Sequence, residues 1–268
     1  AAYALKARFA LYMGDWDTAA KAAKACMDLN VYELHGNFTE LFLANTKNNT
    51  KEKIFAIPRS IANEVILDNW FVNNERTRNA GGYGSACPSW DLLAAFLCTD
   101  GLPIDESPLF DPKNPFKNRD PRCTQTIVEH NTRFLGFEYT THPDAKTVMN
   151  YNSGTTQSNQ DNRLVNQYAS YNGLNWKKGI DEAWTQQGGV ECDYVVIRYA
   201  DVLLMYAEAK IELNDIDDSV LNAINMVRSR GFGVKITDTD KYPAVTNTGQ
   251  ADLRKVVRLA RRVELAKE

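Results

Sequence analysis

YVVIRYADVLLMYAEAKIELN, residues 194–214, is the stretch whose reading decides the fold. Together with Asp193 before it, it is apolar almost all round, not along one stripe, which is the pattern of a helix buried on every side. We read one helix from 193 to 213, closed by the turn NDIDD. SVLNAINMVRSR follows, with Val220, Ala223, Ile224 and Val227 on one face and Gly231 at its end. The two make an antiparallel helix pair. A last amphipathic helix over 252–266 sets Leu253, Val256, Val257, Ala260 and Val263 on one side, with Arg254, Arg258, Arg261 and Arg262 elsewhere.

The same logic applies at the start of the chain. Ala4, Ala7, Arg8, Leu11 and Tyr12 follow helical spacing. Gly14 marks a turn, and Asp15 or Asp17 can cap the next helix. Ala19, Ala20, Ala22, Ala23 and Cys26 then form a face of small residues that lets two helices approach closely. Gly14, the aromatic Trp16 and the alanines have the order of the second half of a tetratricopeptide repeat, with Trp16 as core. One such unit is too few for an independent solenoid.

Between these ends the character changes. Residues 46–192 are rich in Asn, Gly, Pro, Ser and Thr. KIFAIP (53–58) reads as a short strand, and SWDLLAAFLC (89–98) as a short helix capped by Ser89, with Trp90 in the core. Five of the nine prolines fall in 99–122, which makes that segment turn-rich. The fold class that follows is all-α: helical hairpins with a large irregular, loop-rich insertion. The organisation is 1–45 helical repeat unit, 46–192 loop-rich ligand side, 193–268 C-terminal helices.

Composition bounds the function. The chain has 268 residues, is 44% hydrophobic and carries 31 basic against 34 acidic residues, net −3. That balance gives no electrostatic case for nucleic acid or an anionic membrane. No apolar run is long enough to span a bilayer, and no signal peptide is visible. The chain begins and ends in helical sequence, so we read it as a fragment of a longer protein. Cys26, Cys87, Cys98, Cys123 and Cys192 are odd in number and irregularly spaced, against a zinc site. Cys26 belongs to a helix core, and one disulfide among the others stays open.

No catalytic constellation emerges. His35, His130 and His142 lack metal-pair spacing and lie near no nucleophile signature. Asp105–Glu106 and Asp181–Glu182 are adjacent acids in polar segments and read as solvated rather than as a glycosidase pair. Asp120 and Arg122 read as a turn-fixing salt bridge. Asp238 and Asp240 are too few for calcium. The Gly-rich NAGGYGSA (79–86) does not join a strand to a helix and reads as a flexible or close-approach loop. We expect no enzyme, no cofactor and no metal.

Several blocks together resemble one family: residues 194–214, AINMVRSRG (223–231), RLARRVELAKE (258–268), TDGLPID (99–105) and NRDPR (118–122). In this order, after ALYMGDW, they resemble the SusD/RagB family of Bacteroidetes outer-membrane lipoproteins. The family's last motif has Glu where Ala260 stands and an aromatic where Lys267 stands. The resemblance implies tetratricopeptide-like helices supporting a variable face. It also implies capture of glycans at the outer-membrane cell surface and delivery to a SusC-like TonB-dependent transporter, with a lipid anchor absent from this chain. Peptide capture by the same scaffold, and a generic helical-repeat scaffold for protein partners, are the alternatives.

Sugars expose C–H patches on their ring faces and hydroxyls at their edges, so a site needs flat aromatics beside polar groups. The middle region interleaves Trp70, Tyr83, Trp90, Tyr139, Tyr151, Tyr168, Tyr171, Trp176 and Trp184 with polar residues. Trp176 and Trp184, in YASYNGLNWKKGIDEAWTQQGG (168–189), are flanked by Asn, Lys, Gln and Gly. They lead the candidates, with Tyr171, Trp70 and Tyr83. Packing of these rings as glue between loops and scaffold is the competing reading for each.

Overall fold

The computed structural model describes residues 1–185 and 189–268. Gln186, Gln187 and Gly188, near the end of the 168–189 segment, lie outside the described residues. The decisive stretch divides in two. Lys53–Ile57 (β1) pairs antiparallel with Tyr194–Arg198 (β6), and the helix α6 starts only at Tyr199 and runs to Glu212. The expectation of one helix from 193 is corrected by the run Val195-Val196-Ile197. β-Branched side chains lose rotamer freedom in a helix and fit a pleated surface. From Tyr199 to Ile211 every residue of α6 is buried, as the all-round apolar pattern requires.

Four helices surround α6. Ala2–Met13 (α1) ends at Gly14, whose φ of 74° closes the helix, and Asp15 caps Trp16–Met27 (α2) by accepting from the Thr18 N–H at 3.1 Å. Ala19, Ala20, Ala22, Ala23 and Cys26 are buried in the core shared with α6. Asp218–Gly231 (α7) buries Val220, Ala223, Ile224 and Val227 in the same core. Gln250–Glu264 (α8) buries Leu253, Val257 and Ala260 there, while Val263 joins a second cluster. The arginines of α8 answer acids on α6: Arg254 and Arg258 hold Glu212, and Arg261 holds Asp201 and Glu208.

The all-α expectation is overturned by the middle region. Besides the β1–β6 pair, it holds a four-stranded antiparallel sheet in the order β2 (Thr132–Phe134), β3 (Phe137–Tyr139), β4 (Thr147–Asn150), β5 (Thr155–Ser158). The protein is mixed α and β. Strands of three or four residues are too short for alternation to show in the sequence. The β2–β3 turn is set by Leu135 and Gly136, both at positive φ, the two-residue geometry that matches strand twist. A side chain at Gly136 would also run into the Asn152 amide. Short helices α3 (Asn69–Glu75), α4 (Trp90–Ala95) and α5 (Arg122–Thr126) complete the region.

The polar loops are held mainly by buried amides. Asn159 Nδ2 donates to the carbonyls of Thr140 and Ala145, and Asn162 Nδ2 to those of His142, Pro143 and Ala145. Asn79 Nδ2 donates to Asn159 Oδ1 at 3.0 Å. All three asparagines are buried. Each satisfies backbone groups that a buried loop would otherwise leave unpaired. All five cysteines are free thiols.

A buried ionic lattice joins this region to the helices. Glu264, at the end of α8, receives Arg122 at 2.8 Å, Arg198 at 2.6 Å and Arg230. Glu52 receives Arg198 at 2.7 Å and Arg230 at 2.8 Å. Asp120 pairs Arg122 at 2.6 Å, so the expected salt bridge of the DPR turn exists but continues into the core. Glu268 takes Lys178 and Arg198. Burial alone would push the Glu264 carboxyl up; the guanidiniums of Arg230, Arg198 and Arg122 outweigh it and hold the group well below the usual carboxylate range.

Candidate ligand-binding surface

The expected site residues separate into two groups. Trp184 is only 3% exposed: a short 3-10 turn, Glu182–Thr185, folds it into a cluster with Leu67, Val128, Ile180 and Cys192. Its carbonyl accepts from Arg76 Nη1 at 2.9 Å. Trp176 is half-buried and packs on the same cluster. Lys267 brings its Nζ to 5.5 Å from the Trp184 ring centre and 5.9 Å from that of Trp176. Trp184 borders a cleft of about 470 Å³ with Phe42, Ile66 and Phe71, but it offers no open ring face.

Tyr171, Trp70 and Tyr83 lie outside. Tyr171 is 91% exposed and Trp70 70%, and Tyr83 is exposed as well. The packing that gathers them runs through the loops. Tyr83 N donates to Asn73 O at 2.6 Å, and Asn74 Nδ2 to Trp70 O at 2.7 Å, so the Gly-rich loop sits against α3. Gly82 makes this approach possible, since a Cβ there would fall 2.3 Å from Arg76 Cβ and 2.4 Å from its carbonyl oxygen. NAGGYGSA is therefore a close-approach loop.

Residues 168–172 cross the other side of that loop. Trp90 Nε1 donates to Asn172 O at 2.9 Å, and Asn172 Nδ2 to Pro88 O at 2.7 Å. Trp90 was expected in the core; it is 46% exposed, because it is the first residue of α4 and Leu93 supplies the buried face. Tyr168, also exposed, shares one guanidinium with Tyr83: Arg78 Cζ stands 5.5 Å from the Tyr83 ring centre and 5.8 Å from that of Tyr168. Arg163 Cζ lies 4.1 Å from the centre of the Tyr171 ring. The surface thus joins four exposed aromatics, Tyr83, Trp90, Tyr168 and Tyr171, with two arginines, and Trp70 continues it along α3.

Arg78 and Arg163 were not among the expected residues. Arg78 meets Tyr168 only when segments 90 residues apart pack, and Arg163 meets Tyr171 within one irregular segment that has no period to mark it. Asp161 fixes Arg78 from beneath, accepting the backbone N–H of Arg78 at 2.7 Å and of Asn79 at 3.2 Å.

Burial pushes the Asp161 carboxyl up to about 6, against these hydrogen bonds. The folded state therefore binds the proton more tightly than the unfolded chain. The resulting stability is full below the unfolded value and is lost as pH rises through about 6. We expect the stability of the wild type, relative to Asp161→Asn, to fall by about 2 kcal/mol between pH 4 and 7. Urea denaturation of both proteins across that range checks this, and a pH-independent difference would refute it.

Comparison with known proteins gives one family. The family model described as the SusD family matches residues 40–268. No curated protein matches the sequence. Among solved structures, a SusD-like carbohydrate binding protein from Bacteroides fragilis NCTC 9343 is 32% identical with a TM-score of 0.81, over 99% of this chain and 49% of that one. A SusD-like protein from the same strain is 25% identical with a TM-score of 0.71, over 100% of this chain and 51% of that one. A SusD superfamily protein from Parabacteroides distasonis ATCC 8503 shares the fold, at 20% identity and a TM-score of 0.65, over 98% and 49%. The chain spans about half the length of the solved structures it matches. Among the described residues, no helix is long and apolar enough to cross a membrane.

Proposed function

The chain belongs to the SusD family, and on that premise we propose that it binds oligosaccharides through the surface of Tyr83, Trp90, Tyr168 and Tyr171, with Trp70 beside it. It does so at the outer-membrane cell surface and passes them to a SusC-like TonB-dependent transporter. It performs no chemistry on them. The observation that carries the binding assignment is the exposure of these rings on loops pinned by hydrogen bonds. Exposed aromatics grouped on one surface, rather than scattered singly, are what marks a binding site.

A stacked ring face buries roughly half of an aromatic side chain, on the order of 2 kcal/mol. Two or three such platforms, less the cost of association, give an affinity between about micromolar and millimolar. Weak capture suits a protein that must release its ligand to a transporter.

The test is calorimetry of the full-length protein with oligosaccharides found by glycan array. Tyr171→Ala is expected to weaken binding about 30-fold, the equivalent of 2 kcal/mol, with an unchanged melting temperature. Binding that is indifferent to Tyr171 and Trp70, or binding of peptides with no glycan bound, would overturn the assignment.

A further inference from the structure

We propose that the ligand is an acidic oligosaccharide, whose carboxylate or sulfate is held by Arg163 and Arg78; this rests on the glycan-binding reading above and adds the charge of the ligand to it.

The argument starts from the free edges of the two guanidiniums. Arg163 spends one group, Nη1, on the Ala169 carbonyl at 2.8 Å. The Nε–Nη2 edge is left without a partner among the described residues, and that edge is the parallel two-donor fork that matches an oxyanion. Arg78 spends Nε on the Tyr168 carbonyl at 3.0 Å, which leaves its Nη1–Nη2 end in the same condition. Both anchors are backbone carbonyls, so they orient the side chains without neutralising them. Stacking on Tyr171, and between Tyr83 and Tyr168, fixes the guanidinium planes further. Little rotamer freedom remains to be lost when an anion arrives.

The acids of this region are engaged elsewhere, although Asp161 lies close enough to feel the Arg78 charge. Asp161 is buried and turned to the backbone N–H groups of Arg78 and Asn79. Glu75 is held by Lys267 and Asp91 by Arg262. Neither Arg78 nor Arg163 has a carboxylate partner among the described residues, unlike Arg122, Arg198 and Arg230 in the core and the four arginines of α8. A chain with net charge −3 therefore presents positive charge beside its most exposed aromatic ring. Tyr171 keeps one face open for a sugar ring, and the guanidinium on its other face would meet an acidic substituent of a neighbouring sugar that reaches past the ring edge.

The experiment titrates the full-length protein with four probes: oligogalacturonate, its methyl ester, chondroitin sulfate oligosaccharides and a neutral maltooligosaccharide. At least one acidic probe is expected to bind 10-fold or more tightly than the neutral probes, and the preference shrinks as salt rises. Removing the sulfate from the chondroitin oligosaccharides, which leaves their uronate carboxylates in place, assigns the anion. Arg163→Gln, at an exposed position, and Arg78→Gln should each lower the ratio of acidic to ester affinity toward one, whatever they do to the ester's own affinity. Arg163→Lys, which keeps the charge but not the fork, should fall between. Equal affinity for galacturonate and its ester with no preference for sulfate, or a preference that survives the double arginine variant, would overturn the proposal while leaving glycan binding intact. Failure to bind any oligosaccharide would overturn both.

Discussion

Glu264→Gln should destabilise the protein by about 3–5 kcal/mol, the cost of removing one partner from a buried charge cluster. The carboxylate is fully buried and receives three guanidiniums, those of Arg122, Arg198 and Arg230. Within the lattice, Asp120, Glu52, Glu264 and Glu268 balance Arg122, Arg198, Arg230 and Lys178. The amide leaves one positive charge unanswered and turns a donor toward an arginine. Because the Glu264 carboxyl is held low in the folded state, its contribution is present above the unfolded carboxyl value and is lost as pH falls toward the folded one. The gap between wild type and variant should therefore be full at neutral pH and begin to narrow below about pH 4. Guanidinium chloride denaturation at pH 7 and pH 3 measures both, and a variant as stable as wild type at pH 7 would contradict the account.

Trp184→Ala should cost a similar amount, about 3–5 kcal/mol, by leaving a large cavity in a packed cluster. Leu67, Val128, Ile180 and Cys192 have little freedom to close on the space, because bridges and turns fix their backbones. The Lys267 ammonium would also lose one of the two rings it rests beside. The diagnostic is the separation of effects. Trp184→Ala should lower the melting temperature and leave oligosaccharide affinity unchanged in the folded fraction, the reverse of Tyr171→Ala. A Trp184→Ala protein of normal stability that fails to bind sugar would place the site in the cleft instead.

These two residues show where sequence reading reaches its limit. Residues 199–212, α1, α2, α7 and α8 were legible because each repeats a helical pattern over three or more turns. The strand 194–198 was not, since it runs into α6 without a change in hydrophobicity and only its β-branched triplet distinguishes it. Strands β2 to β5 are too short to carry a period. Trp184 has polar neighbours in sequence, yet the 3-10 turn buries it, so local composition gave the wrong side of the surface. Trp90 failed in the opposite direction. Tyr171, Trp70 and Tyr83, for each of which packing was the competing reading, are exposed; the meeting of Arg78 with Tyr168 joins segments 90 residues apart and leaves no trace in spacing.

The lattice around Glu264 also bears on the order of folding. Apart from Asp120–Arg122, its ion pairs join residues 34 to 178 positions apart. Closing loops of that length costs entropy before any pair forms, so such contacts complete late on the way to the native state. Interactions absent from the transition state act on escape from the native state and hardly on the rate of reaching it. The destabilisation caused by Glu264→Gln should then appear almost wholly as faster unfolding, with refolding near the wild-type rate. At the proposed cell-surface location, beyond cytoplasmic chaperones, the cluster would serve as a latch on lifetime.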